Sequence, residues 1–158
     1  MKGSPLLKID TVAPDFELQN QFGETVRLSQ FRGVKPVVLV FFPLAFTGIC
    51  TGELCELRDN LGALEQNGVE LLAVSVDSKA TLRAFAEQEG YQFSLLADFW
   101  PHGAVAREYG VFLEERGTAG RATFVIDETG VIRSRFETGP GTPRQLDSYL
   151  EALQALSF

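Results

Sequence analysis

Cys50 and Cys55 are the only cysteines in the chain, and they stand five residues apart where an apolar run gives way to a helical pattern. A thiolate is a strong nucleophile whose usefulness depends on its setting. The segment Pro43-Leu44-Ala45-Phe46-Thr47-Gly48-Ile49-Cys50 joins the run Val37 to Phe42 to the helix that follows. In open α/β sheets, sites form at the carboxyl ends of such strands. A cysteine in a first helical turn meets unpaired backbone N–H groups and the positive end of the helix dipole, both of which favour thiolate. Cys50 is therefore expected to be an activated nucleophile. If it attacks an electrophilic oxygen, the displaced oxygen calls for a hydroxyl and a guanidinium as positioned donors. Thr47 offers the hydroxyl, while spacing alone does not choose the arginine.

Each residue also has a plainer reading. Free cysteines are often simply core, and threonine is a common helix N-cap. Pro43 either ends the strand or shapes and shields a pocket. Phe42 and Phe46 either wall that pocket or belong to the core. Glu53, three residues past Cys50, either shares its face and bonds within the site or is an exposed first-turn carboxylate that suits the dipole. Arginines in general are solvated at the surface. Trp100 and His102 read as packing or interface residues.

The bulk of the chain narrows the classes. Its 158 residues, 45% apolar, suit one domain, taken as 3–158. A net charge of −7 leaves no footprint for nucleic acid or an anionic membrane. No apolar run approaches the roughly 20 residues of a spanning helix, and the start lacks a long apolar signal core, so a cytoplasmic location is expected. Two cysteines and the single His102 cannot by themselves close a tetrahedral zinc site. Neither metal nor cofactor is expected.

The elements that would carry Cys50 follow from periodicity. Val37 to Phe42 and Leu71 to Val76 read as parallel strands buried on both faces, with a crossover helix between them. In that helix Cys50, Leu54, Leu57, Leu61 and Leu64 form one apolar stripe, with Cys55 beside it. A helix after Ser78 should run through Leu82, Phe85 and Ala86 and stop at Gly90. A strand Phe93 to Leu96 follows. Ala122 to Ile126 and Val131 to Phe136 flank the turn Asp127-Glu128-Thr129-Gly130 as a hairpin. Thr142 as N-cap, Pro143 and Gln145 would open a last helix with Leu146, Tyr149, Leu150 and Leu153 on one face. Asp15 to Leu28 reads as a further, N-terminal hairpin that folds back at Gln21 to Glu24. The whole is an α/β fold: a central mixed β-sheet flanked by helices, for which a thioredoxin-like fold is one solution.

Pro43, Thr47 and Cys50, in the order proline, three residues, threonine, two residues, cysteine, resemble the signature of the peroxiredoxins. The likeness extends from Ala13-Pro14-Asp15-Phe16 to Arg121-Ala122-Thr123-Phe124-Val125-Ile126-Asp127, and it implies that Arg121 is the active-site arginine. The stretches Phe41 to Cys50 and Asp98-Phe99-Trp100-Pro101-His102-Gly103-Ala104-Val105 are similar to the actinobacterial subgroup named after alkyl hydroperoxide reductase E, commonly described as one-cysteine enzymes. Cys55 departs from that pattern. Its spacing from Cys50 resembles the peroxiredoxin Q type, also called bacterioferritin comigratory protein, where the second cysteine resolves the first.

The resemblance implies a thiol peroxidase in which Cys50 becomes a sulfenic acid and Cys55 condenses with it. The reductant would be thioredoxin, a mycoredoxin-type glutaredoxin or a low-molecular-weight thiol, and a homodimer is implied. On an ideal helix, residues five apart have Cα atoms roughly 8.5 to 9 Å apart, beyond the 4.4 to about 6.8 Å of a disulfide. The helix must therefore unwind for the pair to join, and Gly52 between them eases the opening. If Cys55 takes no part, an external thiol would form a mixed disulfide with Cys50. Leu44, Phe46 and Ile49 give the site an apolar edge that points to organic hydroperoxides. A disulfide reductase would need a Cys-x-x-Cys pair, and four intervening residues argue against it. A peroxide sensor or a thiol-independent chaperone remains a third class.

Overall fold

The computed structural model describes residues 7–66 and 68–156, so the outermost residues of the expected 3–158 domain lie outside the described residues. A hairpin of β1 (Glu17–Asn20) and β2 (Thr25–Arg27) leads through a short 3-10 turn to β3 (Val37–Phe41). Then come α1 (Gly48–Asp59), α2 (Leu61–Gln66), β4 (Glu70–Ser75), α3 (Lys79–Glu89), β5 (Ser94–Ala97) and α4 (Ala104–Glu108). A small hairpin of β6 (Phe112–Leu113) and β7 (Thr118–Ala119) precedes β8 (Arg121–Ile126), β9 (Ile132–Thr138) and α5 (Leu146–Leu153).

Seven strands make one mixed sheet in the order β2-β1-β5-β4-β3-β8-β9. β3 runs parallel to β4, from Val37 opposite Glu70 to Phe41 opposite Val74, and β4 runs parallel to β5. The pair β3 and β8 is antiparallel, Val37 facing Ile126 and Val40 facing Thr123. Both sheet faces are covered, so every residue of β3 is buried. Alternation sends Val37, Leu39 and Phe41 into one apolar cluster, and Val38, Val40 and Phe42 into a second that also holds Cys50, Leu54 and Leu57.

Local signals were kept where nothing distant competed. Ser78 caps α3, its Oγ accepting the Thr81 N–H at 3.2 Å, and Gly90 closes it at φ 72°. The Asp127 turn joins β8 to β9 as expected.

Two helices differ from expectation. The stripe helix breaks at Asn60 (φ −115°, ψ 13°), whose side-chain amide donates to its own i−4 carbonyl, Glu56, at 2.8 Å. Leu61 is consequently only partly buried. The last helix starts at Leu146 rather than after Thr142. The Thr142 carbonyl instead accepts the Thr138 hydroxyl at 2.5 Å, and the Leu146 N–H, which a helix capped by Thr142 would give to that carbonyl, goes to Glu56 Oε1 at 3.0 Å. Leu150 is 42% exposed, and Ala152 turns inward with Tyr149 and Leu153. Helix α4 and the β6–β7 hairpin were not anticipated. Asp98 secures α4 by accepting the N–H groups of Val105 and Ala106 at 3.1 and 2.9 Å.

Candidate active site

The turn from β3 into α1 is held from both sides. The Ala45 N–H donates to Asp77 Oδ2 at 2.8 Å, an oxygen that also accepts the Ser75 hydroxyl at 2.6 Å. Phe46 adopts a left-handed backbone, φ 63°, unusual outside glycine, and its ring lies 5.0 Å from that of Phe85 on α3. Thr47 occupies the N-cap position, but its side chain caps nothing; its hydroxyl donates to the Leu44 carbonyl at 2.8 Å. Cys50 follows as the third residue of α1, fully buried. Around it Phe42 is buried, Pro43 and Ile49 are half-buried, and Leu44 and Phe46 are exposed.

Behind Cys50 lies a charged network. Glu53, one helical turn on, is 4% exposed, which rules out the exposed-carboxylate reading. Its Oε1 accepts Arg121 Nη1 at 2.6 Å and Arg144 Nη2 at 3.1 Å, while Oε2 accepts the Arg144 backbone N–H at 2.5 Å and Nε at 3.0 Å. Arg121 Nε reaches the Pro140 carbonyl at 2.7 Å, and Arg144 Nη1 the Thr123 hydroxyl at 3.0 Å. Neither arginine is solvated: they are 4% and 3% exposed. Burial pushes the Glu53 carboxyl up, but the bond and charge of Arg144, its N–H and the charge of Arg121 together hold it below its ordinary value. Antiparallel pairing makes the assembly possible, because it brings the start of β8, with Arg121, to the end of β3 from which α1 departs.

Arg144 was not singled out from the sequence. No local pattern marks it, because its partner Glu53 lies 91 positions away.

Cys55 lies elsewhere on α1. Half-buried, its Sγ sits 3.4 Å from Glu89 Oε1 and 3.4 Å from the Tyr91 hydroxyl. Both cysteines are free thiols, and their shared helix keeps them beyond disulfide reach. His102 is bonded to the Gly117 carbonyl at 2.6 Å, away from both cysteines, and Trp100 is 82% exposed. Among the described residues, no three of His, Cys, Asp and Glu group as metal ligands. An open cleft of about 710 Å³ between Asp10, Lys35, Asp127 and Arg133 includes none of the residues at the start of α1.

The profile of the AhpC/TSA family matches residues 9–135. The chain belongs to this peroxiredoxin family. Alkyl hydroperoxide reductase E of Mycobacterium tuberculosis is 49% identical over 152 residues, 96% of this chain and 99% of that protein. Peroxiredoxin Bcp of Escherichia coli is 37% identical over 137 residues, 83% of this chain and 86% of that one. The crystal structure of peroxidoxin BcpB from Mycobacterium tuberculosis superposes with a TM-score of 0.84 at 30% identity, covering 96% of this chain and 99% of that chain. As a peroxiredoxin, the protein has a thioredoxin-like fold and is a thiol-dependent peroxidase, an oxidoreductase with peroxide as acceptor.

Proposed function

We propose that Cys50 is the peroxidatic nucleophile and that Cys55 resolves it. The Cys50 sulfur attacks the terminal oxygen of a hydroperoxide; the S–O bond forms, the O–O bond breaks, and water or an alcohol leaves after taking up a proton. The observation that carries this reading is the place of Cys50 in the first turn of α1, one turn before the Glu53 that fixes Arg121. A negative charge is stabilised at the start of a helix. Arg121 serves the developing oxygen anion, Thr47 does so once its hydroxyl turns from the Leu44 carbonyl, and Pro43 shapes and shields the pocket. Glu53 acts through Arg121 as a positioning residue.

Hydrogen peroxide and organic hydroperoxides are the substrates. The apolar rim of Leu44, Phe46 and Ile49, with Phe42 beneath, supports alkyl substrates, as does the name of the mycobacterial relative. The Cys50 sulfenic acid condenses with Cys55, and thioredoxin, a mycoredoxin-type glutaredoxin or a low-molecular-weight thiol reduces the disulfide. The exposed pair Phe99 and Trp100 supports a homodimer. No helix among the described residues is long and apolar enough to cross a membrane, which accords with a cytoplasmic enzyme.

Mass spectrometry of the parent and of Cys55→Ser after one equivalent of peroxide, with thiols trapped, tests the cycle. A Cys50–Cys55 disulfide in the parent and a lasting sulfenic acid in the variant are expected. Sulfenic acid in both would mean resolution by an external thiol, and an unmodified Cys50 in both would overturn the assignment.

A further inference from the structure

Cys55 is held by a partner outside its own helix. The Tyr91 hydroxyl, 3.4 Å from the Cys55 sulfur, also donates to the Thr51 carbonyl at 3.2 Å. In a regular helix that carbonyl is the acceptor, four residues back, for the Cys55 N–H. A single phenol therefore touches both the thiol and the backbone oxygen that fix this turn.

Tyr91 is itself immobilised. It is 5% exposed, its ring stacks on Phe93 at 5.1 Å and meets Phe85 edge-on at 5.1 Å, and its N–H donates to the Ala86 carbonyl. Burial, then the bond to Cys55, push the phenol far above its ordinary pKa, so it keeps its proton. Glu89 completes the clamp at 3.4 Å from the sulfur, its own carbonyl accepting Arg58 Nη1 at 2.5 Å.

We propose that Tyr91 is the positioning residue that times the release of Cys55, by tying the turn of α1 that carries it to the fixed end of α3. The inference rests on Cys55 being the resolving thiol. In that step the Cys55 sulfur bonds to the Cys50 sulfur, the Cys50 S–O bond breaks, and the hydroxyl leaves as water with the Cys55 proton. The two sulfurs cannot meet while α1 is wound, so the Tyr91 bonds must break first. By delaying release, the clamp lengthens the life of the sulfenic acid, the species that a second peroxide converts to sulfinic acid.

Tyr91→Phe keeps the ring and removes the hydroxyl. In the reduced variant, amides 51–57 should exchange hydrogen faster than in the parent. Disulfide formation, measured relative to peroxide attack in each protein, should be about two- to tenfold faster, the range set by one hydrogen bond. Less sulfinic acid should form at a given peroxide excess. A parent that forms the disulfide, beside a variant with unchanged or slower resolution, overturns this inference and leaves the two-cysteine cycle standing. A parent that forms no disulfide overturns both.

Discussion

Arg144 gives the Glu53 carboxylate three hydrogen bonds, from its backbone N–H, its Nε and its Nη2, across 91 positions of sequence. The contact ties α1 to the segment before α5 and leaves Glu53 Oε1 to share with Arg121. The core of the site is thus an ion cluster in which one buried carboxylate is shared by two guanidinium groups.

Acid stability should report on this cluster. The Glu53 carboxyl is held below its unfolded value, ordinarily about 4.3, so its contribution is complete above that pH and is lost as the pH falls through the lower folded value. Glu53→Gln leaves two buried guanidinium groups without their anion and should lose about 3–5 kcal/mol at pH 7. Urea titrations of parent and variant should converge as the pH is lowered from 7 to 3. An equal gap at both ends would refute the assignment.

Asp77 holds the loop in front of Cys50 through the Ala45 N–H. Asp77→Ala removes that acceptor and releases the Ser75 hydroxyl. The rate constant for peroxide attack, followed by stopped flow, should fall about tenfold or more, since small displacements of a reacting group are costly. An unchanged rate would show that the loop holds its shape without Asp77.

Gly52 lies inside α1, and a methyl group added there would meet open space. Gly52→Ala should therefore stabilise the wound helix by about 1 kcal/mol. That difference corresponds to about fivefold slower formation of the Cys50–Cys55 disulfide, read by quenched-flow mass spectrometry. A faster reaction would mean that the helix does not unwind on the route.

Oxidation itself should be visible in the backbone. With the disulfide formed, amides 48–57 should lose protection from hydrogen exchange while those of β3 and β4 keep theirs. Equal protection before and after oxidation would contradict local unwinding.

The chain's local chemistry was legible where a few neighbouring residues decide the outcome. Ser78 and Gly90 bound α3 as read, and the uninterrupted apolar runs of β3 and β4 identified the parallel centre. The N-cap position of Thr47 was also foreseen, although its hydroxyl turns to Leu44. What escaped the sequence depends on distant partners. Thr142 and Pro143 have the composition of a helix start, yet Glu56 captures the Leu146 N–H that such a helix would have given to the Thr142 carbonyl. Cys55 meets Glu89 and Tyr91 only because the crossover packs α1 against the end of α3. Asn60 was a local miss, where a side-chain amide competes for the helix's own carbonyl.

The sheet separates two apolar clusters that share no side chain, and α1 contributes to only one of them. A catalyst that unwinds part of itself at every turnover runs the risk of exposing its interior each time. In the proposed two-cysteine cycle that exposure would be confined to one side, because α1 packs only on the layer around Cys50 and not on the layer built on Phe41, Tyr109 and Phe124. Each such cycle would begin and end on a standing template, with the helix rewinding against a surface that was never dismantled.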